Sequence, residues 1–191
     1  MEITEDIIIK VALRQFSKKG YAATSIRDIA SETNLTSSAL YYYVESKKHL
    51  LLRIIEKGLK KLIMDAKEGV TKFSDPKDQL KELIRVHVIN HGKEQLAALV
   101  IDTEYRSLDG DDRQQIRVLR REYEEIWQEV LRQGKKEGVF NCQDVKLTSF
   151  ALLEMCTGVA HWYIEGGRFT IEEIANQFKE LGFQMVKSES A

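Results

Sequence analysis

Apolar positions recur along most of this chain at intervals of three and four, the period of an amphipathic α-helix. Ile7, Ile8, Val11, Ala12 and Phe16 form the first such stripe, and Gly20 stops it. The stretch TSIRDIASET places Ile26, Ile29 and Ala30 on one face of a short helix. Its Ser25 and Asp28 have capping-box spacing, in which each side chain satisfies the other's backbone N–H. TNLT interrupts that helix, and SSALYYYV starts a second short one capped by Thr36 or Ser37. A fourth helix begins after Ser46. KFSDPKD, residues 72–78, then breaks the pattern with Pro76 and a cluster of turn formers.

Five longer helical stretches follow. Residues 79–90 and 95–108 read as two helices separated near Gly92, and residues 107–112 (SLDGDD) as a loop. Residues 113–140 hold a long amphipathic helix that ends near Gly134 to Gly138, and 144–164 form a largely apolar one. EGGRF is a turn, and the last helix opens with a Thr170–Glu173 capping box. No segment alternates with the period of a strand. The pattern predicts an all-α chain of about nine helices, divided into residues 1–46, a connecting fourth helix and linker at 47–75, and residues 76–191.

Composition narrows the setting. The 191 residues carry a formal net charge of -1, so any nucleic-acid surface must be local. A single proline agrees with long helices. Two cysteines, Cys142 and Cys156, make neither a disulfide framework nor a paired metal motif and fit a reducing compartment. The first ten residues are acidic before a short apolar run, unlike a signal peptide, and no apolar run is long enough to span a bilayer. A cytoplasmic protein is expected, with no metal or cofactor.

Two short helices with a tight connection suggest a helix-turn-helix, whose second helix enters the major groove. Here that helix begins with Thr36, Ser37 and Ser38, small side chains that allow close approach to bases and phosphates. Consecutive residues lie about 100° apart on a helix, so Tyr41, Tyr42 and Tyr43 cannot all be buried. Leu40 and Tyr43 are expected to turn inward, and Tyr41 and Tyr42 toward DNA. Lys47, at the start of the fourth helix, suits a phosphate, and Thr24 and Arg27 could touch the DNA backbone.

The segment TSIRDIASETNLTSSALYYYVESKKHLL resembles the DNA-binding signature of the tetracycline-repressor (TetR) family. The match rests on Thr24, Ser25, Ile29, Ala30, Leu35, Leu40, Tyr41, Tyr42, Ser46, Lys47 and Leu50. Ser38 stands where the family often has Gly, and Tyr43-Val44 replaces the common His-Phe. The resemblance implies a homodimer on a palindromic operator, acting as a repressor that a small molecule releases. It makes the C-terminal region a ligand-binding and dimerisation domain.

For that domain, Ala151, Leu152, Met155 and Val159, with Ile171, Ile174, Phe178 and Leu181, form stripes suited to pairing two helices per subunit in a four-helix bundle. Candidate effector contacts are the polar and aromatic groups on otherwise apolar helices: His87, His91, Tyr105, Tyr123, Trp127, His161 and Trp162. HWYIEGGRF also resembles a W-Y-x-x-G-G-R run in a subgroup that senses acyl-CoA thioesters, here Trp162, Tyr163, Gly166, Gly167 and Arg168. Ile164-Glu165 departs from it. A guanidinium such as Arg168 could hold a CoA phosphate, and an aromatic ring could stack on adenine. His87 and His91 also have the i, i+4 spacing of metal ligands on one helix, which keeps metal sensing as a rival. The alternatives to a regulator are a helical enzyme processing acyl-CoA or another small molecule, for which no nucleophile motif or phosphate loop is present, and an adaptor without DNA contact.

Overall fold

The computed structural model describes residues 4–188. Residues 1–3, part of the acidic start, and residues 189–191 lie outside the described residues. The described residues are built from helices: α1 (Glu5–Lys19), α2 (Ile26–Glu32), α3 (Ser37–Tyr43), α4 (Lys47–Val70), α5 (Pro76–Lys93), α6 (Gln95–Glu104), α7 (Gly110–Lys136), α8 (Val145–Thr157), α9 (Val159–Trp162) and α10 (Ile171–Val186). A 3₁₀ turn (Tyr105–Ser107) follows α6. The single-turn α9 continues α8 past Gly158, so the apolar stretch expected as one helix is broken there. The nine expected helices are otherwise all present. No helix among the described residues is long and apolar enough to cross a membrane.

Local signals explain the boundaries. The Ser25–Asp28 and Thr170–Glu173 capping boxes both form. Gly20 ends α1 at φ 81°, a conformation that L side chains disfavour. Asn34 turns the chain between α2 and α3 at φ 57°, and Leu35 N–H closes the turn on Ala30 O at 2.9 Å. α7 starts at Gly110, inside the stretch expected as a loop, because Asp111 and Asp112 favour the positive end of a helix. Gly92 does not separate α5 from α6. It lies buried inside α5, where a Cβ would stand 2.2 Å from Ile171 Cδ1.

The chain forms two compact units, and they are not the linear division read from the sequence. The first joins Met1–Gly58 to Leu96–Val118, and the second joins Leu59–Gln95 to Leu119–Ala191. By its contacts, the segment of α6 and the start of α7 groups with the N-terminal helices and not with the rest of residues 76–191. Gly58 leaves no room for a Cβ beside Ile101, Glu104 accepts the N–H of Tyr21, and Lys48 pairs with Asp109 and Asp112. These contacts hold residues 96–118 to the N-terminal helices. The core of this unit takes Ile8, Ala12 and Phe16 from α1, Ile29 from α2, Leu40 from α3, and Leu50, Leu51 and Ile55 from α4.

In the second unit α5 packs along α10 and also meets α8 and α9. Leu80, Leu83, Ile84, Trp127, Leu131, Leu152 and Val186 are buried together there. Close α5–α10 approach depends on Gly182, where a Cβ would lie 2.4 Å from Ile84 Cδ1. An isolated antiparallel bridge, Phe140 to Lys187, ties the turn after α7 to the end of α10, with Asn141 N–H donating to Val186 O at 2.7 Å.

Candidate nucleic-acid interface and effector groups

α3 is seven residues long, and its sequence decides which way each face looks. Leu40 is fully buried and Val44, just past the helix, nearly so. That leaves Tyr41 53% exposed and Tyr42 88% exposed. Such exposure is unusual for a ring that could bury so much apolar surface. Tyr43 is half-buried and stands edge-on to Tyr42, with centroids 5.4 Å apart. The Thr36 hydroxyl caps the helix by accepting Ala39 N–H at 3.1 Å. Ser38 is exposed and Ser37 half-buried on the first turn. Arg27, on the first turn of α2, is exposed and makes no ion pair among the described residues.

Two expected DNA contacts are placed differently. Thr24 is 1% exposed, and its hydroxyl donates to Gly20 O at 2.9 Å and Gln15 O at 3.2 Å. It braces the end of α1 and does not face a duplex. The Lys47 ammonium donates to Tyr21 O at 2.8 Å, Thr24 O at 2.7 Å and Ala22 O at 3.3 Å, and lies 4.4 Å from the Tyr21 ring centroid. Its three N–H groups are thus engaged inside the chain. The helix-start position suggested a phosphate partner, but spacing says nothing of carbonyls brought in from residues 21–24. The capping hydroxyl on α4 is Ser46, which accepts His49 N–H at 3.0 Å.

Among the effector candidates, four gather in the second unit. His87 is buried, with Nδ1 2.9 Å from the Tyr123 hydroxyl and Nε2 3.0 Å from Thr157 Oγ1. His91 stacks on it with centroids 3.9 Å apart, and Trp127 meets it edge-on. Burial, reinforced by His91, holds the His87 pKa well below the usual imidazole value, so this ring is neutral at pH 7. Burial pushes the Tyr123 phenol up. The Trp127 N–H lies near enough to that phenol to oppose the shift, yet no acceptor meets the indole in hydrogen-bonding geometry. Because both His87 nitrogens already have partners, the His87–His91 pair is an aromatic stack. No group of three or more His, Cys, Asp or Glu side chains that could hold a metal ion occurs among the described residues.

The other candidates lie elsewhere. Tyr105 belongs to the first unit, half-buried beneath the Arg113 guanidinium. His161, Trp162 and Arg168 are exposed, Trp162 near Phe178 and Arg168 over the Phe169 ring at 4.9 Å. An open cleft of about 270 Å³ between α4 and α5 was not anticipated. It is lined by charged groups such as Lys61, Asp65, Glu82 and Arg85, and these pair with one another: Lys61 with Asp65 and Arg85 with Glu82, each at 2.6 Å.

The expected dimer stripe also needs correction. Leu152 and Val159 are fully buried and Ile174 is 6% exposed, so all three belong to the core of their own chain. Met155 and Phe178 are half-buried. The large exposed apolar side chains on α8 and α10 are Leu147, Phe150, Leu181 and Met185, and Ala151 of the expected stripe is exposed beside them. α8 is apolar on several sides, so periodicity could not rank its faces.

The family model described as "Tetracyclin repressor-like, C-terminal domain" matches residues 74–186, and that of "Bacterial regulatory proteins, tetR family" matches residues 8–54. The chain belongs to the TetR family. Proteins of this family are DNA-binding transcriptional regulators, and the sequence resemblance in the tyrosine segment is therefore confirmed. The HTH-type transcriptional repressor KstR2 of Rhodococcus jostii is 27% identical over 176 residues, 91% of this chain and 86% of that protein. A tetR-family regulatory protein from Rhodococcus RHA1 superimposes with a TM-score of 0.92 at 23% identity, covering 98% of this chain and 99% of the other. AibR, solved with isovaleryl coenzyme A and operator DNA, superimposes with a TM-score of 0.86 at 24% identity, covering 93% and 96%. Of this chain's departures from the TetR pattern, Val44 fills the core where Phe is common. Tyr43 supports Tyr42 where His is common.

Proposed function

We propose that this TetR-family regulator binds a palindromic operator as a homodimer, represses transcription from it in the cytoplasm, and is released by a hydrophobic acyl-CoA thioester. The observation that carries the DNA reading is the presentation of Tyr42 and Tyr41 beside Ser38 on a helix anchored on its other side by the fully buried Leu40. Thr36, Ser37 and Ser38 approach backbone or base edges, Tyr41 and Tyr42 offer hydroxyls to phosphate and ring edges to thymine methyls, and Arg27 supplies a phosphate contact.

Leu147, Phe150, Leu181 and Met185 supply the apolar face for a second copy, and two-fold pairing matches a palindromic site. For the effector, the His87–Tyr123–Trp127 group provides a buried polar anchor with an indole N–H free of a well-placed acceptor. Trp162 and Arg168 provide an exposed ring and cation suited to a nucleotide. AibR, of the same fold, binds an acyl-CoA together with operator DNA.

The test is selection of duplexes from a random pool, followed by release with acyl-CoAs, free fatty acids, aromatic acids and divalent metals. Enrichment of a palindrome and its release by acyl-CoAs alone support the reading. Failure to enrich any sequence defeats the DNA half, and release by metals or by none of the compounds defeats the effector half.

A further inference from the structure

We infer that Lys47 is a positioning residue for operator binding, holding the α1–α2 connection against the start of α4, and is not a phosphate contact; this rests on the DNA-binding reading above. The connection, residues 20–25, presents the carbonyls of Tyr21, Ala22 and Thr24 toward one point, and the Lys47 ammonium sits there at 2.7–3.3 Å. An ammonium carries three donors in a tripod, and three acceptors are provided. The Tyr21 ring lies 4.4 Å away and completes the cation's surroundings. Turning this group to a phosphate would leave the Ala22 and Thr24 oxygens without their donor and Tyr21 O with the Thr24 N–H alone.

Other polar groups of the connection are fixed as well. Tyr21 N–H donates to Glu104 at 3.1 Å, the Thr24 hydroxyl bonds back to α1, and Ser25 caps α2. The start of α4 is set independently by the Ser46 cap. Lys47 is the tie between these two rigid points. Leu35 N–H on Ala30 O links α2 to α3, and residues 44–46 link α3 to α4. Lys47 therefore closes a frame of α2, α3 and α4, and the attitude of Tyr42 depends on it.

The experiment compares Lys47→Arg and Lys47→Met with the parent and with Arg27→Gln, in the full-length protein. Binding to the selected operator and to unrelated duplex is titrated over a range of salt, at a temperature where circular dichroism shows every variant folded. Arginine keeps the charge but spreads its donors in a plane, so it serves a phosphate and not a tripod of carbonyls. Both Lys47 variants are expected to weaken operator binding about tenfold. Their salt dependence and their affinity for unrelated duplex should stay at the parental values.

Arg27→Gln is the reference for a lost phosphate contact, lowering the salt slope by about one. The inference is overturned if Lys47→Arg binds like the parent. It is equally overturned if Lys47→Met lowers the salt slope and both affinities together, which is the signature of a phosphate contact. Parental affinity for the operator in both folded variants assigns Lys47 to stability alone, and also overturns it. Absence of operator binding by the parent is read in the same titration, and marks failure of the functional reading itself.

Discussion

The Tyr42 ring stands at 85° to the Tyr43 ring, edge against face, with its outer surface in solvent. This arrangement assigns separate tasks to adjacent tyrosines. Tyr42→Ala is expected to weaken operator binding by about 1–3 kcal/mol, the range for one lost base contact. Tyr43→Phe keeps the supporting ring and should bind like the parent. Fluorescence anisotropy on the selected operator distinguishes them, and parental affinity in Tyr42→Ala would contradict the placement of α3.

The neutral His87 makes stability pH-dependent. Its folded pKa lies below the ordinary value of 6.5, so below that pH the unfolded chain binds a proton that the folded chain resists. Its contribution is complete above about pH 6.5 and declines as pH falls toward the folded pKa, by at most about 1.4 kcal/mol per pH unit. Urea denaturation between pH 5 and 8 should show this slope, and His87→Phe should flatten it.

Association should respond to the exposed residues and not to the buried ones. Leu181→Asp places a charge on the open face of α10 and is expected to yield monomer in sedimentation equilibrium. Leu152→Ala removes a fully buried side chain and should cost about 2–5 kcal/mol of stability, with association retained while the chain stays folded. A dimer unaffected by Leu181→Asp would locate the interface elsewhere.

The α5–α10 contact has almost no spare volume. Gly182→Ala brings a methyl to 2.4 Å from Ile84 Cδ1 and should destabilise by about 1–3 kcal/mol. Ile84→Val removes that terminal carbon. The double variant should recover most of the loss, giving a coupling energy in a double-mutant cycle.

The sequence made some of this legible and hid other parts for identifiable reasons. The caps at Ser25, Thr36 and Thr170 were readable because a cap is a local interaction within four residues. The outward tyrosines were readable because helical geometry forbids burying three neighbours. Thr24 and Lys47 were misplaced because their partners are backbone oxygens, which have no side-chain signature. Leu152 and Val159 were assigned to a partner because the stretch forming α8 and α9 is apolar on several sides, and only packing shows which side its own chain covers. The membership of residues 96–118 in the first unit rests on long-range pairs such as Tyr21–Glu104, which periodicity does not report.

The outcome of exchanging one unit for that of a related protein depends on where the chain is cut. In this chain a cut placed after the fourth helix would discard the strut formed by residues 96–118, which belongs with Met1–Gly58. A graft that carries the strut along should keep its footing, whereas one that follows the linear boundary leaves Glu104, Asp109 and Asp112 behind in the wrong protein.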